Sequence, residues 1–136
     1  EVTQYIFEKL MGYNPSTEQN PLLPVNNINF YEIMAFCNRL SIAAGLTPVY
    51  TIKKSTNPDD WGTPPSQKDK DWEKFKENKK ANGYSICKST NGSSFCVKIT
   101  DIEYSNVDDY WKVYQRSKAK LWEKKENCTF RVAKKK

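Results

Sequence analysis

Residues 29–45 set the strongest constraint on what this chain can fold into. Asn29 is followed three residues later by Glu32, close to the reciprocal capping arrangement that closes a helix N-terminus. Behind it Phe30, Ile33, Met34, Cys37 and Leu40 recur at helical spacing and make one apolar stripe. Gly45 is placed to end this helix in a left-handed conformation. The run Pro48-Val49-Tyr50-Thr51-Ile52 follows, and its alternating β-branched and aromatic residues have strand character. A capped apolar helix feeding a strand predicts an α+β domain, with two or three helices on a small, mostly antiparallel sheet.

The flanking sequence extends that plan. Val2, Tyr5, Ile6 and Leu10 predict a short helix over 2–11, stopped by Gly12 and the turn residues Asn14-Pro15-Ser16. Residues 19–27 are rich in proline and asparagine, and Pro24 keeps them extended. Residues 53–68 carry Pro58, Gly62, Pro64 and Pro65 and read as a long loop, a kind of segment that often carries function. Residues 69–80 read as a charged helix with Trp72 and Phe75 facing inward. Residues 84–88 and 95–100 read as two strands of a hairpin around Thr90-Asn91-Gly92-Ser93. A last helix is expected from Val107 to Trp122, before Cys128-Thr129-Phe130-Arg131-Val132 closes as a strand. There is no internal repeat, and 136 residues fit one domain.

Composition excludes several functions. The net charge of +6 permits contact with phosphate, but the lysines of residues 68–80 alternate with Asp69, Asp71, Glu73 and Glu77. Only Lys134-Lys135-Lys136 form a pure run, so no nucleic-acid partner is expected. No segment approaches the roughly 20 apolar residues of a membrane span. The chain has no histidine, which removes Ser-His-Asp, Cys-His and HExxH chemistry. Its four cysteines include no CxxC pair and do not resemble a zinc site. Their even number permits three disulfide pairings and predicts an oxidising, extracytoplasmic setting.

Several segments together resemble the formylglycine-generating enzyme/sulfatase-modifying-factor family. They run through Glu1-Val2-Thr3-Gln4, then Met11-Gly12-Tyr13-Asn14-Pro15-Ser16, then Leu23-Pro24-Val25-Asn26-Asn27-Ile28-Asn29-Phe30-Tyr31-Glu32. Ala35-Phe36-Cys37-Asn38-Arg39-Leu40-Ser41, Gly45-Leu46-Thr47-Pro48-Val49-Tyr50-Thr51-Ile52 and Ala81-Asn82-Gly83-Tyr84 continue it, and Phe130-Arg131-Val132 is similar to that family's terminal strand. The resemblance implies a reduced C-type-lectin-like fold of a bacterial surface or periplasmic protein. It departs after Tyr84: Ser85-Ile86-Cys87-Lys88 stands where family members carry an Arg-Leu-Pro-Thr-Glu-x-Glu-Trp-Glu helix. The loop-rich central section of the family has no counterpart.

Three functions follow as expectations. The first is a non-catalytic binding module, without cofactor or metal, that presents residues 53–68 and the 88–95 turn to a protein or glycan. Its candidate contact residues are Trp61, Asp59, Asp60 and Asn91. Trp61 has no periodic partner to bury it, so an exposed contact residue and a loop anchor are both open; Asp59 and Asp60 are too few oxygen donors for calcium and read as loop solvation. The second is a copper-dependent oxidase acting on peptide cysteine, implied by the family's use of a cysteine pair and placed on Cys87 and Cys96. The same two cysteines near the ends of a hairpin also suit a disulfide, worth about 2.5–3 kcal/mol by chain entropy, or free structural thiols. The third is an accessory subunit that docks on a larger partner. Cys37, on the apolar helix face, reads as a core thiol, and Cys128 as a core thiol or its partner.

Overall fold

A computed structural model of the chain describes residues 2–86, 96–98, 122, 124, 128–130 and 132–134. Its elements run α1 (Gln4–Met11), α2 (Phe30–Ala43), β1 (Tyr50–Thr51), a 3-10 turn (Pro58–Asp60), α3 (Lys70–Glu73), β2 (Lys76–Glu77), β3 (Tyr84–Ile86), β4 (Cys96–Lys98), β5 (Cys128–Phe130) and β6 (Val132–Lys134). The strands form antiparallel pairs, β1 with β2, β3 with β6 and β4 with β5. The domain is therefore α+β, as the residue pattern predicts.

Helix α2 is the centre of the molecule. Its N-terminus carries the full reciprocal cap, with the Asn29 side chain accepting from Glu32 N and Glu32 Oε1 accepting from Asn29 N. The expected single stripe is an underestimate. Tyr31, Ala35 and Phe36 are as buried as Phe30, Ile33, Met34 and Cys37, while Leu40 is only half-buried. A helix apolar on most of its circumference is covered on most of it, and here the cover is α1, β3 and the 3-10 turn. Cys37 lies in this core as a free thiol, which burial pushes well above the usual thiol range.

The N-terminal cap does more than close a helix. Asn29 Nδ2 donates to the carbonyls of Pro65 (2.7 Å) and Trp122 (3.2 Å), and the Tyr13 hydroxyl donates to Glu32 Oε2. Lys124 Nζ lies 3.8 Å from Glu32 Oε1. A buried carboxylate is tolerated only with such partners, so Asn29 and Glu32 together join the regions of Tyr13, Pro65 and residues 122–124 at one point.

Helix α1 begins later than its apolar spacing predicts. Thr3 is the N-cap, its hydroxyl accepting from Ile6 N, and Gly12 ends the helix at φ 85°. This phase buries Gln4 and Phe7 and turns Tyr5 and Ile6 outward. Phe7 stacks on Phe36 at 5.6 Å between ring centroids. The Gln4 amide is fully used: Nε2 donates to Glu18 O (2.8 Å), and Oε1 accepts from Asn14 Nδ2 (2.8 Å) and Asn20 N (3.0 Å). One side chain thus shapes the turn-rich connection that follows.

Two expectations are corrected. The helix predicted over 69–80 is a single turn, because Lys76 and Glu77 pair with Thr51 and Tyr50. Trp72 and Phe75 still face inward, Trp72 fully buried and Phe75 against Phe30 and Tyr50. The predicted hairpin of 84–88 with 95–100 is likewise replaced: β3 pairs with β6 and β4 with β5. The non-local choice places Val132 opposite Ile86, two apolar residues on the core, which a local turn does not supply. The turn around Asn91 and the helix expected from Val107 lie outside the described residues, apart from Trp122.

Candidate functional site

The 53–68 loop is built as a rigid element. Lys53 and Lys54 both adopt left-handed conformations (φ 53° and 64°) and fold Ile52 onto Ser55 through two backbone hydrogen bonds of 3.0 Å. Asn57 caps the 3-10 turn by accepting from Asp59 N. Buried Asn38 of α2 clamps the loop from beneath: Nδ2 donates to Tyr50 O (2.7 Å) and Thr56 O (2.8 Å), while Oδ1 accepts from Tyr50 N (3.1 Å). A buried amide with three partners resists displacement, because losing it orphans several backbone groups at once.

Trp61 settles as the anchor of this loop. Its ring is 1% exposed, packs edge-on against Trp72 at 5.5 Å, and donates through Nε1 to Ser55 O (2.8 Å). The reading of Trp61 as an exposed contact residue is thereby corrected. The missed signal was Trp72, whose ring supplies the partner that periodicity within the loop did not reveal.

Asp59 and Asp60 remain at the surface with separate partners. Ser55 Oγ donates to Asp60 Oδ2 (2.6 Å), while Arg39 Nη1 meets Asp59 Oδ1 at 2.9 Å. Among the described residues no group of three or more histidines, cysteines or carboxylates is placed to hold a metal ion. Cys87 and Asn91 lie outside the described residues. Cys96 is described in backbone only, on β4 opposite Phe130.

Arg39 was not singled out from the sequence, yet the site forms around it. It leaves α2 one residue after Asn38 and reaches the 3-10 turn, with 32% of its side chain exposed against 70% for Asp59. Two adjoining depressions share Arg39, Pro58 and Asp59. One, of about 320 Å³, is completed by Met11, Tyr13, Ala35, Gly62, Thr63 and Pro64. The other, of about 280 Å³, is completed by Lys9, Leu10, Ile42, Ala43 and Asn57. Burial, with Glu32 adding to it, holds the Tyr13 phenol far above its ordinary pKa, so Tyr13 stays neutral in the wall. The surface combines a paired cation and anion, two hydroxyl-bearing residues and apolar shoulders. It has the residues to bind by hydrogen bonds.

The fold and this site define a small α+β domain with a loop-walled surface depression. No known family's sequence profile matches the chain. It is 42% identical over 60 residues to chaperone protein LppX of Paenibacillus barcinonensis, a match covering 43% of this chain and 21% of that protein. It is similar in structure to Treponema denticola variable protein 1, with a TM-score of 0.55 and 33% identity over 65% of this chain and 36% of that one. The crystal structure of CarF aligns with a TM-score of 0.45 and 18% identity over 65% of this chain and 39% of that one. The chain thus spans about a fifth of the curated relative and about a third of the variable protein.

Proposed function

We propose that the chain is a non-catalytic recognition module, a shortened relative of the formylglycine-generating enzyme family on a C-type-lectin-like scaffold, which engages a protein or glycan through the 53–68 loop and acts outside the cytoplasm. The observation that carries the reading is the construction of that loop. Its interior is held by Trp61 and Asn38, while its outward side keeps Asp59 exposed beside depressions of ligand size. Rigid presentation of polar groups lowers the entropy cost of binding. The structural likeness to a bacterial variable protein at 33% identity, and the motif order from Glu1 to Ile52, support the family part.

A second reading, an accessory domain docking on a larger protein, is favoured by the 42% identity over 60 residues to a protein named as a chaperone. Selection from a glycan array and a displayed peptide library separates the readings. Ligands of the proposed site lose binding to a double variant, Asp59→Lys with Asp60→Lys; ligands that bind the variant unchanged place recognition elsewhere. Copper(I) titration of the fully reduced chain tests the oxidase alternative, since tight one-to-one binding lost in Cys87→Ser and Cys96→Ser would replace this proposal.

A further inference from the structure

The side-chain amide of Asn29 is fully used at the N-terminus of α2. Its two Nδ2 protons go to the carbonyls of Pro65 (2.7 Å) and Trp122 (3.2 Å), and Oδ1 accepts from Glu32 N (2.9 Å). Asn29 is 1% exposed, so a carbonyl withdrawn from it leaves a buried donor unpaired, which costs more than the bond itself contributes. Glu32 is engaged in the same way. Oε1 accepts from Asn29 N (3.0 Å) and faces Lys124 Nζ at 3.8 Å, while Oε2 accepts from the Tyr13 hydroxyl. The cap therefore holds, and is held by, four groups from outside α2.

Two of those groups belong to the walls of the larger depression. Tyr13 lines it, with its ring edge-on to Phe7 at 5.7 Å. Pro64 lines it too, and directly precedes the Pro65 whose carbonyl Asn29 holds. Proline locks its own φ, so the Pro64-Pro65 pair is stiff and a hold on one sets the other. The other two groups come from far along the chain. Trp122 packs against the core, and the Lys124 side chain, 37% exposed, reaches from the surface to a carboxylate that is 2% exposed. In a connected buried network each bond fixes and polarises the next, so the walls and the two distant residues share one arrangement.

We propose that Trp122 and Lys124 are positioning residues for the larger depression: acting through the Asn29–Glu32 cap, they set where Tyr13 and Pro64 stand. Its use as regulation rests on the recognition reading above. Drawing Trp122 and Lys124 away loosens the depression, and a ligand that tightens the depression fastens them, since such coupling is reciprocal. The test is the amide and indole NMR spectrum of the full chain without ligand, compared with Lys124→Gln, Lys124→Arg, Tyr13→Phe, the Tyr13→Phe/Lys124→Gln double variant and the exposed control Lys79→Gln. Lys124→Gln is expected to shift the amides of Tyr13, Gly62 and Thr63 beyond the control, and Lys124→Arg to return them toward the parent. Tyr13→Phe, which removes one hydroxyl, is expected to shift the Asn29 side-chain amide and the Trp122 indole, and the double variant to depart from the sum of the single shifts. Depression amides that follow the control in Lys124→Gln, a Trp122 indole unmoved by Tyr13→Phe, or strictly additive shifts overturn the inference. Because the spectra are read on the free chain, that result leaves the recognition reading standing; it fails separately, when no selected ligand is sensitive to the Asp59→Lys/Asp60→Lys variant.

Discussion

Replacing Trp61 tests whether the candidate site is a built surface or an incidental one. The ring is 1% exposed and touches Trp72, so Trp61→Ala removes buried indole area and leaves a cavity between loop and core. Such truncations cost about 3–5 kcal/mol. Ser55 O also loses the Nε1 donor at 2.8 Å, a further loss of about 1 kcal/mol. Trp61→Phe keeps ring contact with Trp72 but not the hydrogen bond, and is expected to cost about 1–2 kcal/mol. Against a typical domain stability of about 5–15 kcal/mol, the alanine variant gives up a large share. The measurement is equilibrium urea unfolding by circular dichroism, with the slope checked for two-state behaviour. In thermal melts the alanine variant should fall by about 10–20 °C. A Trp61→Ala protein within about 0.5 kcal/mol of the parent, a value typical of surface substitutions, would refute the anchoring argument and with it the rigidity of the loop.

Three further outcomes are expected. Gly83→Ala places a Cβ against Thr47 O and 2.6 Å from Ser41 Oγ, and Ser41 Oγ accepts from Tyr84 N, so the variant should lose about 1–3 kcal/mol or more in urea unfolding. Lys54→Gly relieves a left-handed non-glycine residue in the turn after β1 and should raise the melting temperature by several degrees, a gain of about 1 kcal/mol. Burial pushes the Tyr31 phenol up to about 12 and moves those of Tyr13 and Tyr50 in the same direction. The folded chain therefore holds protons that the unfolded chain releases near pH 10, so this stability is fully present below pH 10 and declines as pH rises toward 12. Absorbance titration of tyrosinate in folded and urea-unfolded protein checks this, and identical titrations would refute it.

Local chemistry alone determined the parts of this protein that depend on neighbours in sequence. Asn29 and Glu32 cap α2 as their spacing predicts, Gly12 ends α1 in a left-handed conformation, and the aromatic run after Gly45 enters a strand. The α+β class followed from those elements, as did the core position of Cys37. Where the outcome depended on a distant partner, local pattern chose wrongly or could not choose. Residues 76–77 left the helical pattern because β1 offered hydrogen bonds, and β3 took Val132 rather than its neighbour across the turn. Trp61 looked unburied because Trp72, eleven positions on, was invisible as its cover. Arg39 looked like one polar residue on a helix until the 3-10 turn brought Asp59 within 2.9 Å. Helix caps and turns are set within a few residues, whereas burial and charge pairing are settled by whichever surfaces the folded chain brings together, and that is why the candidate site became legible only in three dimensions.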